Sequence, residues 1–382
     1  MIYSSPRITK ALRGQLAELA QLRDALGHEV SAPARWMGSL RREVRATSIE
    51  SSTSIEGFSV SPSEALALTS GREPAEQGEE NRQAVSCYAR AMDHVGTMAS
   101  DPEFAWSARV ILDLHFDACH FQRDKDPGLW RTGPIGVTAH DGTLEYVGPD
   151  AENVVGLMDE VVSSLVECER DAGVDVVVRA AMAHLNVISV HPFRDGNGRI
   201  SRIVQSLVLA RDGLASPEFF SIEEYLGSHT QEYYAALREA QGGSYQPERD
   251  ASGWVAFCVE AHIAQARVRL AQIKQAATRW GHLEELVAAR GWPERLVIAL
   301  EQSLAGGTGR GAYGEEADVS PATASADFRR LMDAGLVVQR GRGRNVDYIA
   351  VEGLRADVAA KIEGRKDGRR AGDGGRGRPP AG

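Results

Sequence analysis

Apolar residues recur along most of the chain at the three- and four-residue spacing of amphipathic helices. This spacing predicts helices over residues 11–26, 33–56, 85–98, 104–120, 154–166, 174–190 and 200–212. The helix over residues 174–190 is apolar on nearly all sides, which is typical of a helix inside the core. The helix after it is expected to stop at Gly213, because glycine favours helix C-termini.

One segment in the first 300 residues has the alternation of a β-hairpin instead. Apolar residues at positions 135 and 137 alternate with small ones, Asp141 and Gly142 give a turn signal, and apolar residues return from position 144. The pattern predicts a short two-stranded hairpin in an otherwise helical protein.

The pattern changes after residue 293. A helix around residues 296–304 leads into a glycine-rich linker, and Ser320-Pro321 marks the start of another helix. Two short strands, over residues 336–339 and 346–349, enclose a basic turn. This order of helices and strands resembles a winged-helix domain.

The winged-helix resemblance leaves two roles open. Arginines that could meet DNA phosphates are Arg329, Arg330, Arg340, Arg342 and Arg344. Acidic residues that weaken such a patch are Glu315, Glu316, Asp318, Asp327 and Asp333. Winged helices also serve as packing or dimerisation modules, so DNA binding, a homodimer and a purely structural role all stay open.

The composition is typical of a water-soluble globular protein, with 43% hydrophobic and 25% charged residues among 382. A net charge of −10 argues against binding nucleic acid over the whole surface. The cysteines are scattered without a CxxC pair, which predicts reduced thiols, mostly in the core. The sequence starts without an apolar leader and has no run that could span a bilayer, so we expect a cytoplasmic protein without membrane contact.

The densest chemistry lies in residues 191–202, which read HPFRDGNGRISR. Gly196, Asn197 and Gly198 can present backbone N–H groups in a concave nest where the next helix begins. Unpaired N–H groups and the helix dipole both favour phosphate at that position.

Side chains of the same stretch add a base, a metal ligand and two cations. His191 supplies an imidazole, and Asp195 supplies a carboxylate suited to a hard metal ion. Arg199 and Arg202 are three residues apart and project from one side of the helix near its start. His184 is expected to be a core histidine rather than a metal ligand, because it belongs to no HExxH pattern.

These residues match the motif of Fic-domain proteins, HPFx(D/E)GNGRxxR, at every specified position. The resemblance implies transfer of AMP from ATP to a hydroxyl of a target protein. It implies an ATP site of five residues: Gly196, Asn197, Gly198, Arg199 on the β-phosphate and Arg202 on the γ-phosphate. His191 would then accept the proton of a target Ser, Thr or Tyr, Asp195 would hold Mg²⁺, and Phe193 would anchor the loop.

The segment SSTSIEG, which contains Ser52, Glu56 and Gly57, resembles the (S/T)xxxE(G/N) inhibitory motif of Fic proteins. Glu56 falls at the end of a predicted helix, where the dipole disfavours a carboxylate unless a cation answers it. The resemblance implies that Glu56 pairs with Arg202 and blocks productive seating of the γ-phosphate. The alternative is that Glu56 is a solvated residue at a helix end.

The predicted hairpin follows PGLWRT and is similar to the flap beside the Fic active site. The resemblance implies that Ile135, Gly136 and Val137 form an edge that holds a target segment by strand addition. The alternative is an exposed hairpin without a partner. Tyr233 and Tyr234 could line an adenine pocket or could be core aromatics.

The expected fold class is therefore mainly α: a Fic helical fold with a β-hairpin flap, plus a small C-terminal winged-helix domain of the α+β type. The expected domains are an N-terminal helical region over residues 1–100 that carries the inhibitory helix, a Fic core over 101–245, a helical connection over 246–290 and a winged helix over 291–350. The tail, residues 351–382, is expected to be disordered after residue 362, because it is basic and of low complexity.

The predicted function is Mg²⁺-dependent AMP transfer to a target protein, including the protein itself, with inhibition by Glu56. Two other functions stay open. One is a DNA-binding regulator whose Fic core senses ATP. The other is a hydrolase that removes AMP from targets, with Glu56 positioning the water.

Overall fold

The computed structural model describes residues 1–32, 34–70, 79–138, 142–170, 173–212, 217–341 and 346–373. Within these residues the fold is mainly helical, and short strands form two antiparallel two-stranded sheets. The chain divides into two compact units, Met1–Ala32 with Val44–Arg269, and Pro33–Glu43 with Leu270–Gly382.

The first unit contains most of the helices and one hairpin. The helices up to the end of this unit are α1 (Lys10–Ser31), α2 (Met37–Ile55), α3 (Pro62–Thr69), α4 (Glu79–Ser100), α5 (Ala108–Cys119), α6 (Val154–Arg170), α7 (Val176–Val190), α8 (Asn197–Arg211), α9 (Glu223–Ser228), α10 (Thr230–Gln241) and α11 (Ser252–Ala288), and the hairpin strands are β1 (Gly136–Thr138) and β2 (Leu144–Val147). One hydrophobic core, which extends from Tyr3 to Ile263, holds this unit together.

Helices α7 and α8 lie in this core and are joined by a loop of residues 191–196. The side chain of Asp175 caps α7 by accepting the Val177 N–H at 2.8 Å. Helix α7 ends at His191, with φ 50°, and α8 begins after Gly196, with φ 75°. Two left-handed residues therefore bracket a short loop between two buried helices. The predicted stop at Gly213 lies outside the described residues.

The predicted hairpin is present. Strands β1 and β2 pair in antiparallel register, with Gly136 opposite Val147. On its other side β2 is fixed by backbone bonds, from the Val147 N–H to the Gly243 carbonyl at 3.0 Å and from the Tyr245 N–H to the Val147 carbonyl at 3.1 Å. Asp141, in the predicted turn, lies outside the described residues.

The second unit has its own core. Its remaining elements are α12 (Leu296–Leu304), α13 (Arg310–Glu316), α14 (Pro321–Asp333), β3 (Val337–Arg340), β4 (Asp347–Ala350) and α15 (Glu352–Asp373). Ser320 caps α14 by accepting the Thr323 N–H at 3.2 Å, and Phe328 stacks on Tyr348 with ring centroids 3.9 Å apart. Arg342 and Arg344 of the predicted wing lie outside the described residues.

The compact units divide the chain differently from the predicted domains. Residues 1–32 and 44–269 share one core, because buried residues of the N-terminal helices, of the predicted Fic core and of the first half of α11 belong to the same cluster. The connection predicted over residues 246–290 is thus no separate element: α11 begins in the first unit and ends in the second.

The predicted tail also differs from the structure. Residues 352–373 form α15, although disorder was expected after residue 362. Leu354 and Val358 are buried in the second core, and this packing fixes the start of the helix. Among the described residues, no helix combines the length and the apolar character needed to cross a bilayer.

Candidate active site

His191 ends α7 in the left-handed conformation, with φ 50°, which is uncommon for a residue with a side chain. Its Nδ1 lies 3.0 Å from the carbonyl oxygen of Ile188. Because a carbonyl can only accept, Nδ1 carries the proton and Nε2 keeps its lone pair. Burial lowers the pKa of His191 to about 4, although the bond to Ile188 opposes this shift. The imidazole is therefore neutral at pH 7.

The backbone at the start of α8 offers unpaired donors. The first hydrogen bond of the helix runs from the Ile200 N–H to the Gly196 carbonyl at 3.0 Å. The N–H groups of Asn197, Gly198 and Arg199 therefore have no acceptor within the helix. Together with the helix dipole, they form the kind of cradle that the sequence predicts for phosphate.

The side chain of Asn197 is hydrogen-bonded to the backbone of Phe193. Its Oδ1 accepts the Phe193 N–H at 2.9 Å, and its Nδ2 donates to the Phe193 carbonyl at 2.8 Å. Phe193 is fully buried and stacks on His115, with ring centroids 3.5 Å apart. The side chain of Asn197 thus closes the loop that Phe193 anchors. Only the backbone N–H of Asn197 remains available to bind a phosphate of ATP.

The guanidinium of Arg199 is buried and incompletely paired. It lies against the rings of Phe58 and Phe121, at 5.3 and 5.4 Å from their centroids, and its Nη2 donates to Gln122 Oε1 at 2.7 Å. Its Nε and Nη1 find no hydrogen-bond partner in the described part of the chain. Because unpaired donors on a buried cation are costly, this arrangement fits an acceptor supplied by an anionic ligand.

Arg202 is held by the end of α2. Its Nε donates to Ser52 Oγ at 2.7 Å, and its Nη2 donates to the Ser52 carbonyl and to Glu56 Oε1, both at 2.9 Å. Burial opposes the charge on Arg202, but the Glu56 carboxylate together with the hydroxyl groups of Tyr233 and Tyr88 outweighs burial and raises the pKa of Arg202. The pairing of Glu56 with Arg202 is therefore present, while Nη1 of Arg202 is buried without a partner among the described residues.

Glu56 lies in the turn directly after α2, and Gly57 follows it with φ 87°, a conformation that favours glycine. The carboxylate reaches the N-terminus of α8, since a Cβ added to Gly198 would lie 2.2 Å from Glu56 Oε1. The Glu56 carboxylate thus lies against the same helix end whose N–H groups form the cradle.

Asp195 presents its carboxylate beside the cradle. Its Oδ1 accepts the Gly196 N–H at 2.7 Å, and the side chain is 38% exposed. Within the described ranges, no group of three or more His, Cys, Asp or Glu side chains could hold a metal on its own. A single carboxylate next to a phosphate site nevertheless fits Mg²⁺, which is commonly bound by one or two carboxylates together with substrate phosphates and water.

The hairpin forms a wall beside this loop. Strand β2 pairs with β1 on one side and bridges to Ser244 on the other, whereas no described residue pairs with the outer edge of β1. Gly136 and Val137 are the first two residues of that strand, and Ile135 directly precedes it. A Cβ on Gly136 would be 2.7 Å from Leu144 Cδ1, so the end of the leucine side chain packs over this glycine.

Most of the predicted site residues line one cleft of about 300 Å³, whereas the buried Ser52, Arg199 and Arg202 and the glycine at position 57 do not line it. The lining side chains and backbone that bear on the chemistry are those of Glu56, His191, Asp195, Gly196, Asn197 and Gly198. The hairpin and α10 complete the walls. The structure thus brings the His191 imidazole, the candidate metal ligand, the helix N-terminus and the Glu56 carboxylate to one place.

The two tyrosines of α10 differ in their surroundings. Tyr233 is 1% exposed and shares a hydrogen bond of 3.0 Å with His184, which is itself fully buried and also bonded to Gln205. Tyr234 is 37% exposed, and its hydroxyl donates to the Ile55 carbonyl at 3.4 Å. Tyr233 is therefore a core aromatic that reaches the cleft, Tyr234 is a wall residue, and His184 is a core histidine.

A larger cavity of about 580 Å³ lies elsewhere in the first unit, between the N-terminal segment, α6 and α7. Its arginines are already paired, Arg179 with Asp212 at 2.6 Å and Arg211 with Glu169 at 2.8 Å. The smaller cleft is therefore the better candidate for the active site, because the buried Arg199 and Arg202 beside it keep N–H groups without a partner among the described residues.

Sequence reasoning missed three residues that hold this site. Nε2 of His115 donates to the Asp195 carbonyl and Nδ1 accepts the Gly128 N–H, both at 2.9 Å. Gln122 binds Arg199, and Arg131 donates to the His191 carbonyl at 2.8 Å. Only Arg131 had a local signal, since it belongs to PGLWRT.

Comparison with known proteins connects these features to one family. The Fic/DOC family model matches residues 105–209. The chain is 28% identical over 249 residues to protein adenylyltransferase fic-1 of Caenorhabditis elegans, covering 64% of this chain and 46% of that protein. It is 37% identical over 71 residues to a probable protein adenylyltransferase of Aquifex aeolicus, covering 19% of this chain and 20% of that protein. The chain thus spans less than half the length of these relatives.

Solved structures support the fold. A Fic family protein from Desulfovibrio desulfuricans G20 superposes with a TM-score of 0.58 at 20% identity, over 92% of this chain and 99% of that one. Fic-1 of C. elegans superposes with a TM-score of 0.53 at 22% identity, over 69% and 73% of the two chains. From the family match, the relatives and the shared mainly helical architecture, we conclude that this chain contains a Fic domain.

Proposed function

We propose that this protein transfers AMP from ATP to a hydroxyl side chain of a target protein and that Glu56 restrains the transfer. The observation that carries the proposal is one cleft in which a neutral histidine lies beside a helix N-terminus. Two buried arginines next to this helix end keep N–H groups that have no partner among the described residues. Names of relatives that contain the word adenylyltransferase add support.

In this proposal ATP binds with its phosphates at the start of α8. The backbone N–H groups of Gly198 and its neighbours stabilise charge on the transferred phosphoryl group. Nε and Nη1 of Arg199 meet the β-phosphate, and Arg202 meets the γ-phosphate. Asp195 supplies a carboxylate oxygen to Mg²⁺, which neutralises phosphate charge when bound.

His191 acts as the general base. Its proton on Nδ1 is fixed by Ile188, so Nε2 can accept the proton of an incoming Ser, Thr or Tyr hydroxyl. The hydroxyl oxygen then forms a bond to the α-phosphorus while the bond to the β-phosphate oxygen breaks. Pyrophosphate leaves, and the target keeps AMP.

Glu56 would restrain this reaction at two points. It occupies the Nη2 donor of Arg202 that the γ-phosphate needs, and its own negative charge lies against Gly198, where a phosphate would bind. ATP could then bind only with its α-phosphate misplaced for attack. A target segment that docks along the outer edge of β1 would bring its hydroxyl to His191.

Transfer can be tested with ATP labelled either on the α-phosphate or on the γ-phosphate. The Glu56→Gly variant is incubated with host lysate, with His191→Ala in the same background as control. After subtraction of the label that lysate incorporates without the added protein, label from the α-phosphate should enter protein, label from the γ-phosphate should not, and excess chelator should stop transfer. Incorporation of γ-label above that background, or of α-label in the His191→Ala control, would contradict the proposal.

Removal of AMP from targets is a second candidate function. The observation that favours it is that Glu56, 21% exposed at its side chain, lines the same cleft as His191, so it could orient a water. The wild-type protein would then release AMP from a modified target faster than Glu56→Gly does. Measurement of free AMP from a purified modified protein separates the two directions.

A DNA-binding role for the second unit is the third candidate. Asp327, counted from sequence among the residues that weaken the basic patch, is 2% exposed and paired with Arg295 at 2.8 and 3.0 Å. Arg329 and Arg330 stay exposed on α14 beside Asp333. A gel shift with a promoter library should then weaken in Arg329→Gln with Arg330→Gln, and its salt dependence should become shallower.

A further inference from the structure

We infer that Arg131 is a positioning residue that fixes the target-binding hairpin relative to the base His191; this inference rests on the proposed transfer function. Its guanidinium hydrogen-bonds to the catalytic loop and to the residues on both sides of the hairpin. Arg131 is 4% exposed.

The hydrogen bonds of Arg131 reach three separate segments. Its Nε donates to the carbonyl of His191 at 2.8 Å, its Nη1 to the carbonyl of Gly133 at 2.7 Å, and its Nη2 to the carbonyl of Pro149 at 2.6 Å. Its backbone N–H also donates to the Pro192 carbonyl at 2.9 Å. Gly133 precedes β1 and Pro149 follows β2, so one rigid, planar group ties both hairpin ends to the residue that carries the base.

The hairpin end and His191 are in close contact, which makes their relative position sensitive to this group. A Cβ on Gly148 would lie 2.8 Å from Ile135 Cγ2, 3.3 Å from Arg131 Nη2 and 3.7 Å from His191 Cβ. Residue His191 also holds a left-handed conformation, which needs support from its surroundings. The bond to its carbonyl supplies part of that support.

Arg131 has no hydrogen bond to the groups proposed for ATP. Its bonds go to backbone carbonyls, whereas Arg199, Arg202 and Asp195 are held by other partners. A change at Arg131 should therefore alter the placement of the target hydroxyl and leave ATP binding nearly unchanged. Misplacement of a reacting group by about 1 Å can cost on the order of 100-fold in rate.

The experiment compares Arg131→Ala, Arg131→Lys and Arg211→Ala, all in the Glu56→Gly background. Arg211 is a matched control, because it too is largely buried and donates to backbone carbonyls, those of Met98 and Asp101, at the far end of α8. Arg131→Ala should lower kcat by about 100-fold with ATP affinity unchanged. Arg131→Lys should recover little, since an ammonium lacks the fork, and Arg211→Ala should keep its kcat.

Two further measurements distinguish a positioning role of Arg131 from a purely structural role and from a failure of the proposed transfer function. Millimolar guanidinium should restore part of the Arg131→Ala rate, whereas ammonium should not. Amide hydrogen exchange, measured without ATP or target, should accelerate over residues 133–149 and 187–192 in Arg131→Ala only. If Glu56→Gly transfers no AMP, the exchange result still tests the inference. Unchanged exchange, or equal kcat in Arg131→Ala and Arg211→Ala, would overturn it.

Discussion

At the scale of single residues, His191 combines a left-handed backbone conformation with a lowered pKa. Burial lowers its pKa, and the Ile188 carbonyl fixes which nitrogen carries the proton. Both features keep a neutral imidazole with a free Nε2 in the cleft. The residue therefore has the form that a general base needs at neutral pH.

Replacement of His191 by alanine should remove transfer while ATP still binds. No other imidazole lines the described part of the cleft, and loss of a general base commonly costs on the order of 10²–10⁴-fold. The rate of AMP incorporation in Glu56→Gly with and without His191→Ala measures this, with ATP affinity by calorimetry as control. Transfer at the parent rate would exclude His191 as the base.

The pH dependence should reflect the lowered pKa. Above about pH 4 the ligand-free His191 is mostly neutral, so kcat/KM for Glu56→Gly should not fall between pH 8 and pH 6 through protonation of this group. Removal of Glu56 also removes an anion that raises this pKa, which moves the acid limb further down. An acid limb near pH 6.5, the ordinary histidine value, would contradict this reading.

The candidate site residues of the loop could be proposed from the sequence because the motif spans twelve consecutive positions, of which it specifies nine. The contacts that each of these side chains makes were less predictable. Asn197 stands between two glycines of a phosphate nest, yet its amide pairs with the backbone of Phe193. His115 and Gln122 reach the site only through the packing of α5 against the loop, and no local spacing records that.

At the scale of elements, two helix ends meet. The C-terminal end of α2 offers carbonyl and carboxylate oxygens, and the N-terminal end of α8 offers N–H groups and Arg202. The helix dipoles make this contact favourable from both sides, as the sequence suggested for Glu56. The same contact places the Glu56 carboxylate where the proposed phosphate would bind.

The Asn197→Ala variant tests how the loop at the start of α8 is built. Loss of the amide leaves the N–H and carbonyl of Phe193 buried without partners, which should cost about 1–3 kcal/mol of unfolding free energy. ATP affinity should change little, since the backbone N–H remains. Chemical denaturation and calorimetry measure the two quantities. A large loss of ATP affinity without loss of stability would assign the side chain to the nucleotide instead.

At the scale of the whole molecule, two compact units share the chain, and the boundary between them crosses two helices. The apolar spacing predicts the helices, but the predicted domain boundaries fall between helices instead of within them. The reason is that amphipathic spacing shows which face of a helix is buried and not which core buries it. Helix α15 illustrates the same limit. The basic, glycine-rich sequence after residue 362 indicates disorder, whereas the helix continues to Asp373; Leu354 and Val358, which are buried in the second core, anchor its first turns.

The second core contains a buried polar cluster whose loss should be measurable. Asp327 accepts hydrogen bonds from Arg295 and, at 2.8 Å, from the Tyr313 hydroxyl. Asp327→Ala should destabilise this unit by about 3 kcal/mol, at the lower end for a buried pair because Arg295 is 33% exposed. Asp333→Ala, an exposed change on the same helix, should stay within about 0.5 kcal/mol. Equal losses in thermal unfolding would show that the cluster contributes nothing.

The central claim is that the Glu56 carboxylate holds a competent AMP-transfer site inactive through Arg202. The most direct measurement is the initial rate of AMP incorporation for wild type, Glu56→Gly, Arg202→Ala and the double variant, with one target and saturating ATP. Glu56→Gly should be strongly activated, because Arg202 becomes free to orient the γ-phosphate and the negative charge at Gly198 is removed. Arg202→Ala and the double variant should stay slow, because the clamp is lost together with the restraint. An unchanged rate in Glu56→Gly, or activation by Arg202→Ala alone, would contradict the account.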